Sequence, residues 1–118
     1  MEHAAEMGAE QFCYVTTKGR RTGRPHTIEI WFGVVDRTLY LLSGGGMRSD
    51  WVANLVAAPD VSVRVGSTEY PARARIVDDP DEEARARPLL AGKYLGWKEG
   101  EAMSGWAQTA LVIALDLA

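Results

Sequence analysis

Apolar and polar side chains alternate along much of the chain with the period of two that marks half-buried strands. Residues 11–17 open with aromatic and β-branched residues, Phe12, Tyr14 and Val15 among them, and predict a first strand. A second is predicted over residues 25–35, where Ile28, Ile30, Phe32 and Val34 alternate with Thr27, Glu29, Trp31 and Gly33. Asp36 and Arg37 make a tight turn into a third strand, Thr38–Ser43, whose nearly unbroken apolar run predicts a central position. Residues 61–65 and 69–77 alternate again and are joined around Gly66-Ser67 as a hairpin. A final apolar strand is predicted over residues 109–117, giving six strands in all.

The period changes to that of a helix in two places. Ser49 is placed as an N-cap with Asp50 in the first turn, and a helix follows over residues 51–58 and stops at Pro59. Trp51, Asn54, Leu55 and Ala58 share one of its faces. Asp79-Pro80-Asp81-Glu82 is a strong second start: Asp79 caps, Pro80 suits the first position and Glu82 completes a capping box. Asp81–Arg85 and Glu83–Arg87 are favourable four-residue pairs. Pro88 predicts a kink or a split, and Leu90, Tyr94 and Trp97 line one face beyond it. Residues 98–107 are a connection with room for a helical turn, and residues 1–10 a polar, partly helical arm. Hairpin-linked strands with inserted helices predict one α+β domain over residues 1–118, mainly β and built on a six-stranded antiparallel barrel with two or three helices.

Composition narrows the class. A chain of 118 residues, 47% apolar and 25% charged, is one ordinary globular domain. The apolar run over residues 110–115 falls far short of the about 20 residues a membrane helix needs. The acidic start lacks a secretory signal, and the single cysteine, Cys13, permits no internal disulfide, so the expected setting is the cytoplasm. One Cys and two separated His leave no metal cluster to expect. The net charge of −3 argues against nucleic-acid or anionic-membrane binding. Yet Lys18, Arg20, Arg21 and Arg24 gather four of the thirteen positive charges within seven residues, which points to a specific anionic ligand.

Three segments carry candidate chemistry. The arginine forks of the basic turn suit phosphate or carboxylate, and Gly19 and Gly23 bare the backbone beside them. The same turn also reads as a solvated hairpin. Gly44-Gly45-Gly46 ahead of a helix offers bare amides and a positive dipole end, or a plain connector. Trp31, Trp51, Tyr94 and Trp97 suit stacking on a flat ligand, although aromatic residues at helical spacing more often pack in a core. Ser43 is placed to bond a ligand but has no His–acid partner, and Cys13 reads as a buried small hydrophobe. His26 and Glu29 read as strand residues. No acid–base constellation is visible, so the chain does not read as a hydrolase.

In their order, four segments resemble one family: Thr16-Thr17-Lys18-Gly19-Arg20-Arg21-Thr22-Gly23-Arg24-Pro25; Leu41-Leu42-Ser43-Gly44-Gly45-Gly46; Ser49-Asp50-Trp51-Val52-Ala53-Asn54-Leu55; and Pro59-Asp60-Val61-Ser62-Val63-Arg64-Val65-Gly66. It is the deazaflavin-dependent nitroreductases, also described as quinone reductases that use reduced coenzyme F420. The resemblance covers about residues 14–98 and, more loosely, the last strand. It implies a split β-barrel of the flavin-reductase-like kind. It implies that Lys18, Arg20, Arg21, Thr22 and Arg24, with Pro25 and His26 beside them, hold the cofactor's phosphate and oligoglutamate tail. Ser43, Gly44, Gly45, Trp51 and Asn54 would then flank the deazaflavin ring. The implied reaction is hydride transfer to a quinone, nitroaromatic or activated enone. Tyr94 is the expected proton donor or substrate contact, with Ser43 a second candidate on the catalytic side.

The sequence departs from the family at Lys93-Tyr94-Leu95-Gly96-Trp97, where several relatives are tyrosine-rich, and at Glu29, which many members lack. Two alternatives remain open: an FMN-binding oxidoreductase on the same barrel, or a non-catalytic binder of a tetrapyrrole or lipid. The expected partners are a small-molecule acceptor and, for a monomer or homodimer, at most a second copy. Apolar quinones would allow peripheral membrane contact without an anchor.

Overall fold

A computed structural model of the chain describes residues 7–118, so most of the arm expected over residues 1–10 lies outside the described residues. Seven strands form one antiparallel sheet: β1 (Cys13–Lys18), β2 (Pro25–Ile30), β3 (Gly33–Val35), β4 (Thr38–Ser43), β5 (Asp60–Val65), β6 (Thr68–Ile76) and β7 (Leu111–Leu117). Their spatial order is β2-β1-β5-β6-β7-β4-β3. The sheet curls into a half-barrel crossed by three helices, α1 (Asp50–Ala57), α2 (Pro80–Leu95) and α3 (Gly105–Thr109), with a short 3-10 turn at Gly46–Arg48. The inner face buries Val15, Leu39, Leu41, Val63, Ile113 and Leu115 under Val52 and Leu55 of α1. The outer face of β4 and β7 buries Tyr40, Leu42, Val112 and Ala114 against Ala86 and Leu90 of α2.

The strand expected over residues 25–35 is two strands, hence seven in place of six. The strand ladder breaks at Trp31-Phe32 although the alternation continues, and the last turn of α2 takes over the hydrogen bonding there. Phe32 N donates to the Tyr94 hydroxyl at 3.0 Å, which in turn lies 2.9 Å from Phe32 O and 2.8 Å from Gln11 O. Lys93 Nζ donates to Phe32 O at 3.1 Å and sits 3.8 Å from the Phe32 ring centroid. Phe32 is fully buried as a result, although it lies between strands. β4 is one place from the sheet edge, not central. Its unbroken apolar run is explained by cover on both faces, the core within and α2 without.

Other local expectations are corrected by tertiary contacts. α2 is not split by Pro88: one backbone bond is lost there, but Ala86, Leu90 and Ala91 bury a continuous stripe on both sides of it. The helix ends at Leu95, with Gly96 left-handed at φ 67°, so Trp97 leaves the face of Leu90 and Tyr94 and donates to Glu101 O. Asp79 caps by accepting from Asp81 N, but Glu82 does not close a capping box. Its carboxylate takes both ends of the Arg75 guanidinium at 2.8 Å and the Tyr40 hydroxyl at 2.6 Å. Arg75 reaches on to Asp116 at 2.7 Å, tying α2 to β6 and β7. Of the two predicted helix pairs, Glu83–Arg87 forms at 2.8 Å, and among the described residues Asp81–Arg85 forms no ion pair. The helical turn in the connection becomes α3, capped by Ser104, and it consumes Thr109, so β7 starts at Leu111.

Two outcomes follow from this packing. Leu90→Ala empties a fully buried position between α2 and the sheet, and chemical denaturation should show a loss of about 2–5 kcal/mol. The Arg75 fork, with the Tyr40 hydroxyl, holds the Glu82 carboxyl down to about 2 from an ordinary 4.5, and Arg75 holds Asp116 low as well. A depressed carboxyl contributes its full stability above its unfolded value and loses it as pH falls through the folded one. Melting temperature should therefore drop between about pH 4.5 and 2. Glu82→Gln should flatten that drop while costing about 1–3 kcal/mol at neutral pH.

Candidate functional site

The basic turn connects β1 to β2 and has a fixed shape. Gly19 N donates to Arg24 O at 2.8 Å, and Gly23 N to Gly19 O at 2.8 Å. Gly23 is left-handed at φ 75°. A side chain at Gly19 would start 2.8 Å from His26 Nε2 and 3.0 Å from Arg24 O, so a larger residue there would push the imidazole aside and crowd the turn. Thr22 Oγ1 accepts from Arg24 N at 3.2 Å.

α1 is fastened to this turn through Asn54, which is buried. Its Oδ1 accepts from Arg20 N at 3.2 Å and from Arg20 Nη1 at 2.8 Å, and its Nδ2 donates to the buried Thr17 Oγ1 at 3.3 Å. The second Arg20 nitrogen, Nη2, pairs with Asp50 Oδ1 at 3.1 Å. Arg20 is thus turned onto α1. Among the described residues Lys18, Arg21 and Arg24 have no ion-pair partner.

Between the turn, β2 and α1 lies a cleft of about 440 Å³. Arg20, Arg21, Thr22, His26, Asp50, Trp51 and Asn54 line it, with Gly19, Thr27 and Ile28. Arg20 and Arg21 make one part cationic beside the Asp50 carboxylate, and Trp51 and Ile28 supply the apolar wall. Six expected site residues meet here: Arg20, Arg21, Thr22, His26, Trp51 and Asn54. Lys18 and Pro25 line a separate depression with Asp60, Val61 and Ser62, and Arg24 is exposed on the turn.

Ser43, Gly44 and Gly45 do not join this cleft. They line another, of about 560 Å³, with Arg48, Glu83, Arg87 and Thr109. Ser43 is buried, its Oγ 3.2 Å from Ser49 Oγ and within 3.3 Å of Gly46 O. Ser49 holds the cap position of α1 but makes no side-chain bond to the helix amides, because its hydroxyl faces Ser43. A side chain at Gly45 would fall 2.4 Å from Ser49 Oγ, so the glycine run is a close approach as well as a connector.

The aromatic candidates separate in the same way. Trp31 stacks on Tyr94, centroids 4.4 Å apart, and meets Trp106 edge-on at 5.7 Å. The Tyr94 hydroxyl is engaged by main-chain groups of Gln11 and Phe32. Glu29 accepts from the Tyr14 hydroxyl at 2.7 Å across β1 and β2, a cross-strand pair. Cys13 is fully buried, and burial pushes its thiol up to about 12, the behaviour of an inert small hydrophobe. Among the described residues no group of three His, Cys, Asp or Glu is arranged to hold a metal ion, and no helix is long and apolar enough to cross a membrane.

The cleft residues not singled out from sequence are Thr27, Ile28 and Asp50, whereas Gly19 stands out there for its bare backbone. Ile28 had a signal in the alternation of β2. Asp50 had none beyond its place at a helix start.

No curated protein matches the chain in sequence. Solved structures match its fold. A putative 5-nitroimidazole antibiotic resistance protein from Bacteroides thetaiotaomicron is 16% identical with a TM-score of 0.78, over 98% of this chain and 78% of that one. A haem storage protein from Vibrio cholerae is 16% identical with a TM-score of 0.76, over 99% and 88%. An F420-H2 dependent reductase is 19% identical with a TM-score of 0.69, over 90% and 94%. The family model of the F420H(2)-dependent quinone reductases matches residues 4–112. With that match covering the cleft and the strands β1 to β6, the chain belongs to the F420H(2)-dependent quinone reductase family and is a deazaflavin-dependent reductase.

Proposed function

We propose that this reductase binds coenzyme F420 along the cleft between the basic turn and α1, and reduces a small electrophilic acceptor: a quinone, a nitroaromatic or an activated enone. The observation that carries the reading is the pairing, in one cleft of about 440 Å³, of a cationic end and the half-buried Trp51 indole. That volume is within the range of small-molecule sites. The donor set suits the group. Arg21 faces the cleft, Arg24 is exposed on the same turn and Lys18 opens onto a separate depression. All three lack an ion-pair partner among the described residues and can meet a phosphate and a string of carboxylates. Thr22 and His26 add polar contacts, with Pro25 stiffening the turn. Trp51 and Ile28 give an apolar wall to a flat ring.

When bound, the reduced deazaflavin supplies a hydride to the acceptor. The chain's own residues bind, orient and shield. Arg21, Arg24 and Lys18 hold the anionic end, and Trp51 fixes the plane of the ring. Asn54 belongs to this set through Arg20 rather than by facing a ligand, since its polar atoms are committed to Arg20 and Thr17. Ser43, Gly44 and Gly45 bound a separate cleft, so the acceptor must meet the ring in the cleft lined by Trp51 and Ile28. With the Tyr94 hydroxyl held by main chain, solvent is the proton source for the reduced product.

The test is fluorescence titration of the purified protein with oxidised coenzyme F420, with FMN alongside, followed by an acceptor screen. Salt-sensitive binding of the deazaflavin in the micromolar range or tighter is expected. Preference for FMN would move the assignment to that flavin, and binding without turnover of any acceptor would favour a carrier. Arg21→Ala combined with Arg24→Ala should weaken F420 binding about tenfold to a hundredfold and reduce its salt dependence. Unchanged affinity would reject the basic turn as the anion site.

A further inference from the structure

Arg20 holds two partners of different permanence. Asn54 Oδ1, 2.8 Å from Nη1, is buried and belongs to the framework that shapes the turn. Asp50 Oδ1, 3.1 Å from Nη2, belongs to a side chain with 88% of its surface exposed, while Arg20 keeps 29%. Asp50 is also the one carboxylate in the lining of the cleft. An ion pair with so exposed a partner contributes little, roughly 0–1 kcal/mol, and exchanges readily. A guanidinium fork accepts a ligand phosphate or carboxylate in the same geometry as a side-chain carboxylate.

Resting on the cofactor reading above, we infer that Asp50 is an internal stand-in for the ligand's anionic group: it occupies the outer nitrogen of Arg20 in the free protein and yields it to a phosphate or carboxylate of the bound ligand. The exchange sets affinity. Binding must displace Asp50 from Arg20 and leave its charge beside an incoming anion, so the same carboxylate that fills the empty site opposes the filled one. Asp50 is therefore an affinity- and specificity-determining residue. It discriminates by the charge of the ligand's phosphate and tail, and it leaves the ring untouched. It also favours release of the spent cofactor.

Asp50→Asn keeps the size of the side chain and removes its charge. Titrated with coenzyme F420 at low salt, this variant should bind about three- to fivefold tighter than the natural chain, and the gain should vanish at high salt. The phosphate-free deazaflavin alcohol, which lacks both phosphate and tail, should bind the two proteins equally. Asp50→Glu, which keeps the charge, should stay at or below the original affinity. Asp50→Ser, a residue at home at a helix start, should repeat the gain, and thermal melting of each variant checks that α1 stays in place. Unchanged or weaker F420 binding by Asp50→Asn with melting retained would overturn the assignment, as would an equal gain for the phosphate-free alcohol. Failure of the cofactor reading looks different. The natural chain would then not bind F420, or would bind it equally well after loss of Arg21 and Arg24, and both inferences would fall together.

Discussion

The cleft depends on one buried carboxamide. Asn54 joins the end of β1, the basic turn and α1 through Thr17, the Arg20 amide and the Arg20 guanidinium. Four cations crowded into one turn repel one another, and a free turn would relieve that by spreading. Here one of the four is drawn onto α1, and the internal turn bonds hold the shape of the rest. The backbone that carries the outward cations is therefore held by the turn's own hydrogen bonds and by α1. An unsatisfied amide at the same position would cost more than its bonds return, which is why a polar residue so deeply buried is committed at both ends.

A second framework holds the opposite end of the half-barrel. Phe32 has left the strand ladder, and its backbone groups are met by Tyr94 and Lys93 of α2. The aromatic stack of Trp31, Tyr94 and Trp106 closes over this joint. Residues with the chemistry of a ligand site are thereby consumed in construction. Trp51, outside the stack, is the tryptophan left to face the cleft.

Much of this was legible in the residues themselves. Alternation marks β1, β5 and β6 because each has one face on the core and one toward solvent. Ser49, Asp50 and Pro59 bracket α1, and Asp79-Pro80 starts α2, because capping is local chemistry. The charge density of the turn and the tryptophan of α1 point to the cleft. The break at Trp31-Phe32 was not legible, since the alternation runs on through it and its cause is a tyrosine 62 residues away. Glu82 looks like a capping residue until β6 brings Arg75 beside it. Ser43, Gly44 and Gly45 lie near Trp51 in the chain, yet the fold of the glycine run against Ser49 turns them into another cleft. Asp50 shows its second role only once Arg20 is in place. Local rules reach as far as local causes do.

The position of β7 carries a consequence for how the molecule assembles. The last strand lies between β6 and β4 and pairs with both. It brings together groups as far apart in the chain as Thr38 and Asp116, separated by 78 residues. Closing so long a loop is slow and costs entropy before the pairing repays it. Until it closes, the β3–β4 hairpin has no inner neighbour and the outer core has half its wall. The cleft is built from residues 19–54, whereas the strand that joins the two halves of the sheet comes from residues 111–117, so the arginine turn can take its local shape before the sheet around it closes.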